Sequence, residues 1–170
     1  MTDARTPRNL QVRRSRGRMV ALVVAVAAAA AAFAVWFVTH PPALPAPDEP
    51  VDVSVPLFQP VYVGVYDGDG TDRTLHISEV SLDVEGEATV ALMVCRDGAI
   101  SVTSEPTAFC TSLDDANGAT IEPGDALVLE ISEDESGEAT IHPAEVSYRD
   151  GIRWGTQPVG PTVEATFVSR

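Results

Sequence analysis

Residues 19–38, MVALVVAVAAAAAAFAVWFV, are twenty consecutive positions without a charge. As a helix rising about 1.5 Å per residue they reach roughly 30 Å, the hydrocarbon thickness of a bilayer. A helix lying on a soluble core shows polar residues every third or fourth position, and here there are none. Nine of the twenty are Ala, which is only mildly apolar, so insertion is weaker than for a Leu-rich span. The valines with Phe33, Trp36 and Phe37 make up part of the difference. Trp36 and Phe37 fall near the far end, where aromatic rings favour the membrane interface.

Charge divides sharply about this stretch. Before it stand six Arg and one acid, a net +5; after it stand five Arg against 24 acids, a net −19. Short basic flanks stay in the cytoplasm, so Arg5, Arg8, Arg13, Arg14, Arg16 and Arg18 orient the helix and place the acidic C-terminal part outside. That acidic part repels phosphate, which excludes nucleic acid as a partner class. The reading is a basic cytoplasmic tail (1–18), a transmembrane helix (19–38), a Pro-rich linker (39–50) and an extracytoplasmic domain (51–170).

A cleaved signal peptide that would release the domain is the alternative, because a basic start plus an apolar run is also its signature. Ala32-Phe33-Ala34 resembles a cleavage site, but residues 35–38 continue the apolar run past it, and the next candidate, after Ala46, meets Pro47. No Cys follows the helix to carry a lipid. The residues after Arg13-Arg14 do not match a twin-arginine export signal. A buried soluble helix is the third reading. The linker holds five Pro in twelve residues. An extended polyproline spacer at about 3.1 Å per residue would stand the domain roughly 35 Å off the membrane, with His40 solvated.

From residue 51 the pattern becomes short alternating runs: Val61, Val63 and Val65; Leu75 and Ile77; Leu127, Leu129 and Ile131; Val163, Ala165 and Phe167. Val80, Leu82 and Val84 switch parity relative to Ile77, which predicts a bulge or break near Ser78-Glu79. Residues 89–95 are nearly all apolar, as in a central strand covered on both faces. Ala139 and Ile141 are separated from Val146 and Tyr148 by Pro143. Asp-Gly, Glu-Gly, Asn-Gly and Ser-Gly turns recur at intervals of about ten residues. The expectation is an all-β domain, an antiparallel, Ig-like β-sandwich of seven to nine short strands.

Cys95 and Cys110 are the chain's only cysteines. An even count in an oxidising compartment predicts a disulfide, closing a loop worth about 3 kcal/mol in the chain-entropy account. Without a nearby His the pair makes a poor zinc site.

Candidate chemistry is sparse. Asp67, Asp69 and Asp72 in DGDGTD place carboxylates near the spacing of a calcium loop, but Asp72 stands where that loop needs Gly. A solvated turn is the plainer reading, with calcium the only cofactor to consider. Glu133, Asp134, Glu135 and Glu138 read as an exposed tip that could instead attract a cation or a basic partner. His76 and His142 each precede a Glu by three residues, a spacing that faces opposite sides of a strand. No G-x-S-x-G, H-E-x-x-H or phosphate loop occurs, and nothing points to a small-molecule substrate.

The most distinctive stretch is YRDGIRWGTQ, residues 148–157. Arg149, Arg153 and Trp154 have the composition of a partner-binding hot spot. The plainer expectation is a hairpin whose Trp154 packs into the core while its arginines offset local acids. The absence of Lys and the preference for Ala, Val, Arg and Asp resemble the residue usage of a high-GC bacterium such as an actinobacterium. The layout is similar to that of membrane-anchored envelope proteins of that group, a likeness without a motif that implies no site residues. The expected function is a non-enzymatic interaction or accessory module of the envelope with an envelope protein as its partner. The alternatives are a divalent-cation-binding or sensing module, or an enzyme assembled from distant strands.

Overall fold

The apolar stretch forms one helix, α1 (Arg16–Thr39). Its segment Gly17–Thr39 is long and apolar enough to cross a membrane, and none of its most apolar window is buried. The structure, a computed structural model, describes residues 16–44, 49–68 and 72–169. Arg5, Arg8, Arg13 and Arg14, linker residues 45–48, and Asp69 lie outside the described residues. The chain divides into two units, Met1–Trp36 and Phe37–Arg170.

The second unit is built of strands: β1 (Val51–Pro56), β2 (Val61–Asp67), β3 (Leu75–Ser81), β4 (Val84–Gly86), β5 (Thr89–Cys95), β6 (Val102–Thr103), β7 (Leu113–Asp115), β8 (Thr120–Ile121), β9 (Ala126–Ser132), β10 (Gly137–Ile141), β11 (Ala144–Asp150), β12 (Arg153–Val159) and β13 (Val163–Val168). They form three ladders, ordered β1-β13-β10-β4, β12-β11-β3-β8 and β6-β2-β9-β5-β7. Thirteen strands exceed the seven to nine expected, and the pairing explains why. The neighbours β4, β10 and β13 in the first ladder continue the neighbours β3, β11 and β12 in the second. Each pair is thus one long strand bent in the middle, at 82–83, at His142-Pro143 and at 160–162. Pro143 has no N–H to give to a ladder, while the His142 amide bonds Asp83 O at 3.0 Å and carries the pairing across the bend. Merging the pairs and setting aside the two- and three-residue strands β6, β7 and β8 leaves seven long strands in two layers.

Inward residues of both layers share one core: Val63 and Val65 of β2, Leu127, Leu129 and Ile131 of β9, Ile77 of β3, Ile141 and Val146 of β10 and β11, and Phe167 of β13. This is the Ig-like sandwich expected, with one addition: β1 runs parallel to β13, Val51 opposite Val163 through Pro56 opposite Val168. The parity switch in β3 is a bulge. Ser147 faces Glu79 while Tyr148 faces Ile77, leaving Ser78 as the extra residue, with its hydroxyl on Ser147 O at 3.1 Å.

The outer face of the five-stranded layer is also apolar. Tyr62, Ala126, Val128 and Cys95 lie on the parity opposite to the core residues and form a second buried cluster with Ile100 and Cys110. The segment between the two cysteines covers them. It approaches so closely that a Cβ on Gly64 would fall 1.8 Å from Ile100 O. Cys95 and Cys110 are disulfide-bonded, their Cα atoms 5.2 Å apart, which pins this cover to the end of β5. The strand buried on both faces is therefore β9, at Ala126–Leu129. The sequence pointed to β5, which lies next to β9 and is only partly buried.

Replacing both cysteines by Ala should lower the unfolding free energy by about 3 kcal/mol in urea titrations. It should also raise the binding of a hydrophobic dye as the cover lifts from Tyr62 and Val128; unchanged stability and dye binding would mean the disulfide holds nothing down.

Candidate functional site

Two places gather polar side chains. The first lies at the end of β5. Arg96 reaches Asp125 and Asp114, each at 2.7 Å, and Thr120 O at 2.6 Å. Asp125 is 4% exposed, the buried charged residue of the core, and also accepts the amides of Glu122 (2.9 Å) and Asp97 (3.1 Å). Burial alone raises its carboxyl; the two amides and the Arg96 guanidinium outweigh that and hold it below the usual carboxylate range. With Thr111 and Ser112 these residues line a shallow polar depression of about 420 Å³. Every Asp125 oxygen is occupied by a partner that ties strands together. The cluster is therefore a structural latch joining β5, β7, β8 and the turn before β9.

The second place is the β11–β12 hairpin, YRDGIRW. Its turn end is held by Arg73, which donates to Asp150 at 2.9 Å. On β11 and β12 the odd and even positions face opposite sides. Tyr148 points inward and is buried, while Arg149 and Trp154 are cross-strand neighbours on the outer face. Trp154 is 59% exposed and Ile152, at the turn, 68% exposed. The expectation that Trp154 packs into the core is thus overturned. β12 is an outermost strand, and its inward positions are Arg153, Gly155 and Gln157, which leaves Trp154 on the solvent side. Arg153 lies over the ring of Phe37, 3.8 Å from its centroid.

The inward side of β12 is covered by the linker, which is a correction to the free spacer expected from its prolines. The Leu44 amide donates to Gln157 Oε1 at 2.9 Å, and Leu44, 6% exposed, belongs to the main core. Pro42 O accepts from the Tyr148 hydroxyl at 3.1 Å and from Arg73 at 3.4 Å. A Cβ on Gly155 would sit 3.0 Å from the Pro41 ring, so a glycine is what lets the two backbones approach. Phe37, Pro41 and Leu44 thus follow Arg153, Gly155 and Gln157 in the same direction.

The remaining candidates stay separate. Asp67 ends β2 and is exposed, Asp72 is exposed, and Asp69 lies outside the described residues. Among the described residues no three His, Cys, Asp or Glu are arranged to hold a metal ion. Glu133, Glu135 and Glu138 border a depression of about 180 Å³ with Glu87. His76 Nδ1 lies 2.9 Å from Thr120 Oγ1, and His142 Nε2 lies 3.4 Å from Glu85 across the strands. Sequence reasoning missed Arg96, Asp125, Gln157 and Leu44. For Leu44 a signal existed, as the one large apolar residue in the Pro-rich stretch. It also missed Phe58, which is 76% exposed at a φ of 62° between β1 and β2.

No protein-family model matches the chain, and no curated protein sequence matches it. A single N-terminal apolar helix followed by a disulfide-bonded β domain fits a membrane-anchored or signal-bearing protein.

Two outcomes test the latch and the docked linker. Asp125→Asn should cost about 2 kcal/mol of stability at neutral pH. Because the folded carboxyl is depressed, its contribution is present above the unfolded value near pH 3.9 and lost as pH falls through the lower folded value. The gap between variant and wild type, read from denaturation midpoints, should therefore close in acid. In hydrogen exchange the Leu44 amide should be protected, and Gln157→Ala should speed its exchange by about tenfold, the equivalent of one modest hydrogen bond; equal rates would show that Gln157 does not hold the linker.

Proposed function

We propose that the chain is a single-pass membrane protein of a bacterial cell envelope whose β domain faces outside the cytoplasm and acts as a non-enzymatic interaction module. The membrane part is supported by α1, an apolar helix with no burial in its most apolar window, and by a disulfide, which persists in oxidising compartments. Asp125, the one deeply buried carboxylate among the described residues, is saturated by structural hydrogen bonds and is not offered as a reacting group.

The observation that carries the interaction reading is Phe58. A left-handed backbone costs a non-glycine residue on the order of 1 kcal/mol, and a ring this exposed returns little of that by burial. Folding alone gives no reason to keep Phe at this position. Its amide bonds Glu133 O at 3.1 Å, so the Phe58 backbone adjoins the start of the acidic Glu133–Glu138 turn. That end of the domain fits a basic partner with an apolar pocket.

Two measurements test the reading. After alkaline carbonate extraction the protein should stay in the membrane pellet, and protease added to spheroplasts should digest the β domain; release into the supernatant would mean the helix is a cleaved signal. Phe58→Gly should stabilise the domain by about 0.5–1 kcal/mol and yet weaken crosslinking to its partner in native membranes. If that substitution destabilised the domain, Phe58 would be a packing residue and the interaction reading would fail.

A further inference from the structure

We propose that the tip of the β11–β12 hairpin is a membrane-surface contact, with Trp154 and Ile152 lying in the interfacial layer and Arg149 and Arg153 meeting the phosphates of anionic lipid headgroups. This rests on the reading of α1 as an uncleaved anchor.

Position is the first ground. The apolar run ends at Val38 and polar Thr39 and His40 follow, so a chain spanning the bilayer leaves the hydrocarbon within a residue or two of Phe37. Arg153 lies directly over the Phe37 ring. From there the chain climbs along β12 to Leu44 in the core. Leu44 lies five positions after Thr39, and five extended residues reach at most about 17 Å. The hairpin tip is therefore tethered at the level where the chain enters water, and Phe58 stands at the opposite end of the long strand formed by β12 and β13.

Chemistry is the second ground. Trp favours the headgroup level, where its ring is half in apolar surroundings and its N–H can reach a polar partner. Trp154 and Ile152 are large apolar side chains left exposed on a short hairpin, an arrangement that solubility disfavours unless something covers it. Arg73 pairs with Asp150, and Arg96 pairs with Asp114 and Asp125. Arg149 and Arg153 form no ion pair among the described residues: Arg149 donates to Gly151 O and Arg153 stacks on Phe37. In a domain with so large an excess of acid, two guanidinium groups without a carboxylate partner, beside an exposed Trp, make a local cationic and aromatic spot. Guanidinium forks match phosphate oxygens, and juxtamembrane basic residues are drawn to anionic lipid. A soluble protein partner would also accept Trp and Arg, but the tether already puts a lipid surface at this tip.

The full-length protein reconstituted into vesicles of equimolar phosphatidylcholine and phosphatidylglycerol provides the test. Trp36 and Trp154 are the only tryptophans, so Trp36→Phe leaves Trp154 as the sole reporter and Trp154→Phe leaves Trp36. A headgroup-level spin label should quench Trp154 by about twofold, the response of an indole seated in the interface, and Arg149→Gln with Arg153→Gln should remove most of that quenching. Lipid-borne label that quenches Trp36 but not Trp154 would show an inserted helix with its hairpin held off the lipid; the surface contact would then be overturned and the anchor would stand. Absence of quenching at both would overturn the anchor and the contact with it. Quenching of Trp154 that the arginine substitutions leave unchanged would remove the headgroup phosphates from the assignment.

Discussion

The burial of Leu44 ties the parts of this protein together. A proline-rich stretch after an apolar helix is ordinarily a spacer, because polyproline has no internal hydrogen bonds and stays solvated. Here one leucine enters the main core and its amide is fixed by Gln157. Burying a leucine side chain contributes about 1.5–3 kcal/mol, more than the entropy of ordering a residue or two of already stiff chain. Proline lowers that entropic cost further by limiting the conformations of the free linker. The same sequence that would make a good spacer therefore also makes an inexpensive docking segment, once a single apolar side chain finds a site. Direction is set as a consequence: the chain runs along β12, and β1 runs parallel to β13 just beyond it.

The β domain handles its most non-local pairings in a related way. β9 joins β2 and β5, and its partner strands come from sequence positions tens of residues away. Such pairings cost loop-closure entropy before contacts repay it. The segment over the outer face adds apolar burial on the side of β9 that a simple sandwich would leave wet, and the Cys95–Cys110 bond keeps that segment from opening. The Arg96–Asp125 latch works at the same corner. Its carboxylate is deeply buried and its guanidinium is partly exposed, so the guanidinium stays partly hydrated, and the cost of desolvating the carboxylate is outweighed by two backbone amides together with the guanidinium. Side-chain hydrogen bonds and a covalent link thus converge where a long loop must be held against a sheet.

Much of this was legible in the residues. The helix, the cysteine pair, the bulge at Ser78, the break at Pro143 and the closing strand at Val163, Ala165 and Phe167 all come from local periodicity or local chemistry. What was not legible depends on contacts between distant segments. Residues 126–132 alternate as though half exposed, yet the cover supplied by residues 96–112 buries Ala126 and Val128 as well. Trp154 reads as a core residue by type, and only the pairing register shows it on the outward side of an outermost strand. Asp125 sits in a Pro-Gly-Asp turn like many solvated turns, and nothing local announces that Arg96 reaches it. The strand count was low because one bent strand counts as two whenever a proline or a parity slip interrupts its ladder.

The domain's strong acidity bears on how its hairpin tip meets an anionic surface, and distance decides the outcome. At physiological salt, exposed charges are screened over about 8 Å. The Glu133–Glu138 turn lies near Phe58, at the far end of the long strand that begins at Arg153. That separation is several screening lengths, so its carboxylates contribute almost nothing at the tip. Among the described residues the tip itself carries Arg149, Arg153 and Asp150, with Arg73 paired to Asp150 and Asp72 next to Arg73 in the chain. A net charge of −14 for the chain therefore says little about what the hairpin feels. The acid excess acts where it is concentrated, keeping the distal end soluble and favouring cationic partners there, while the hairpin tip feels little of it.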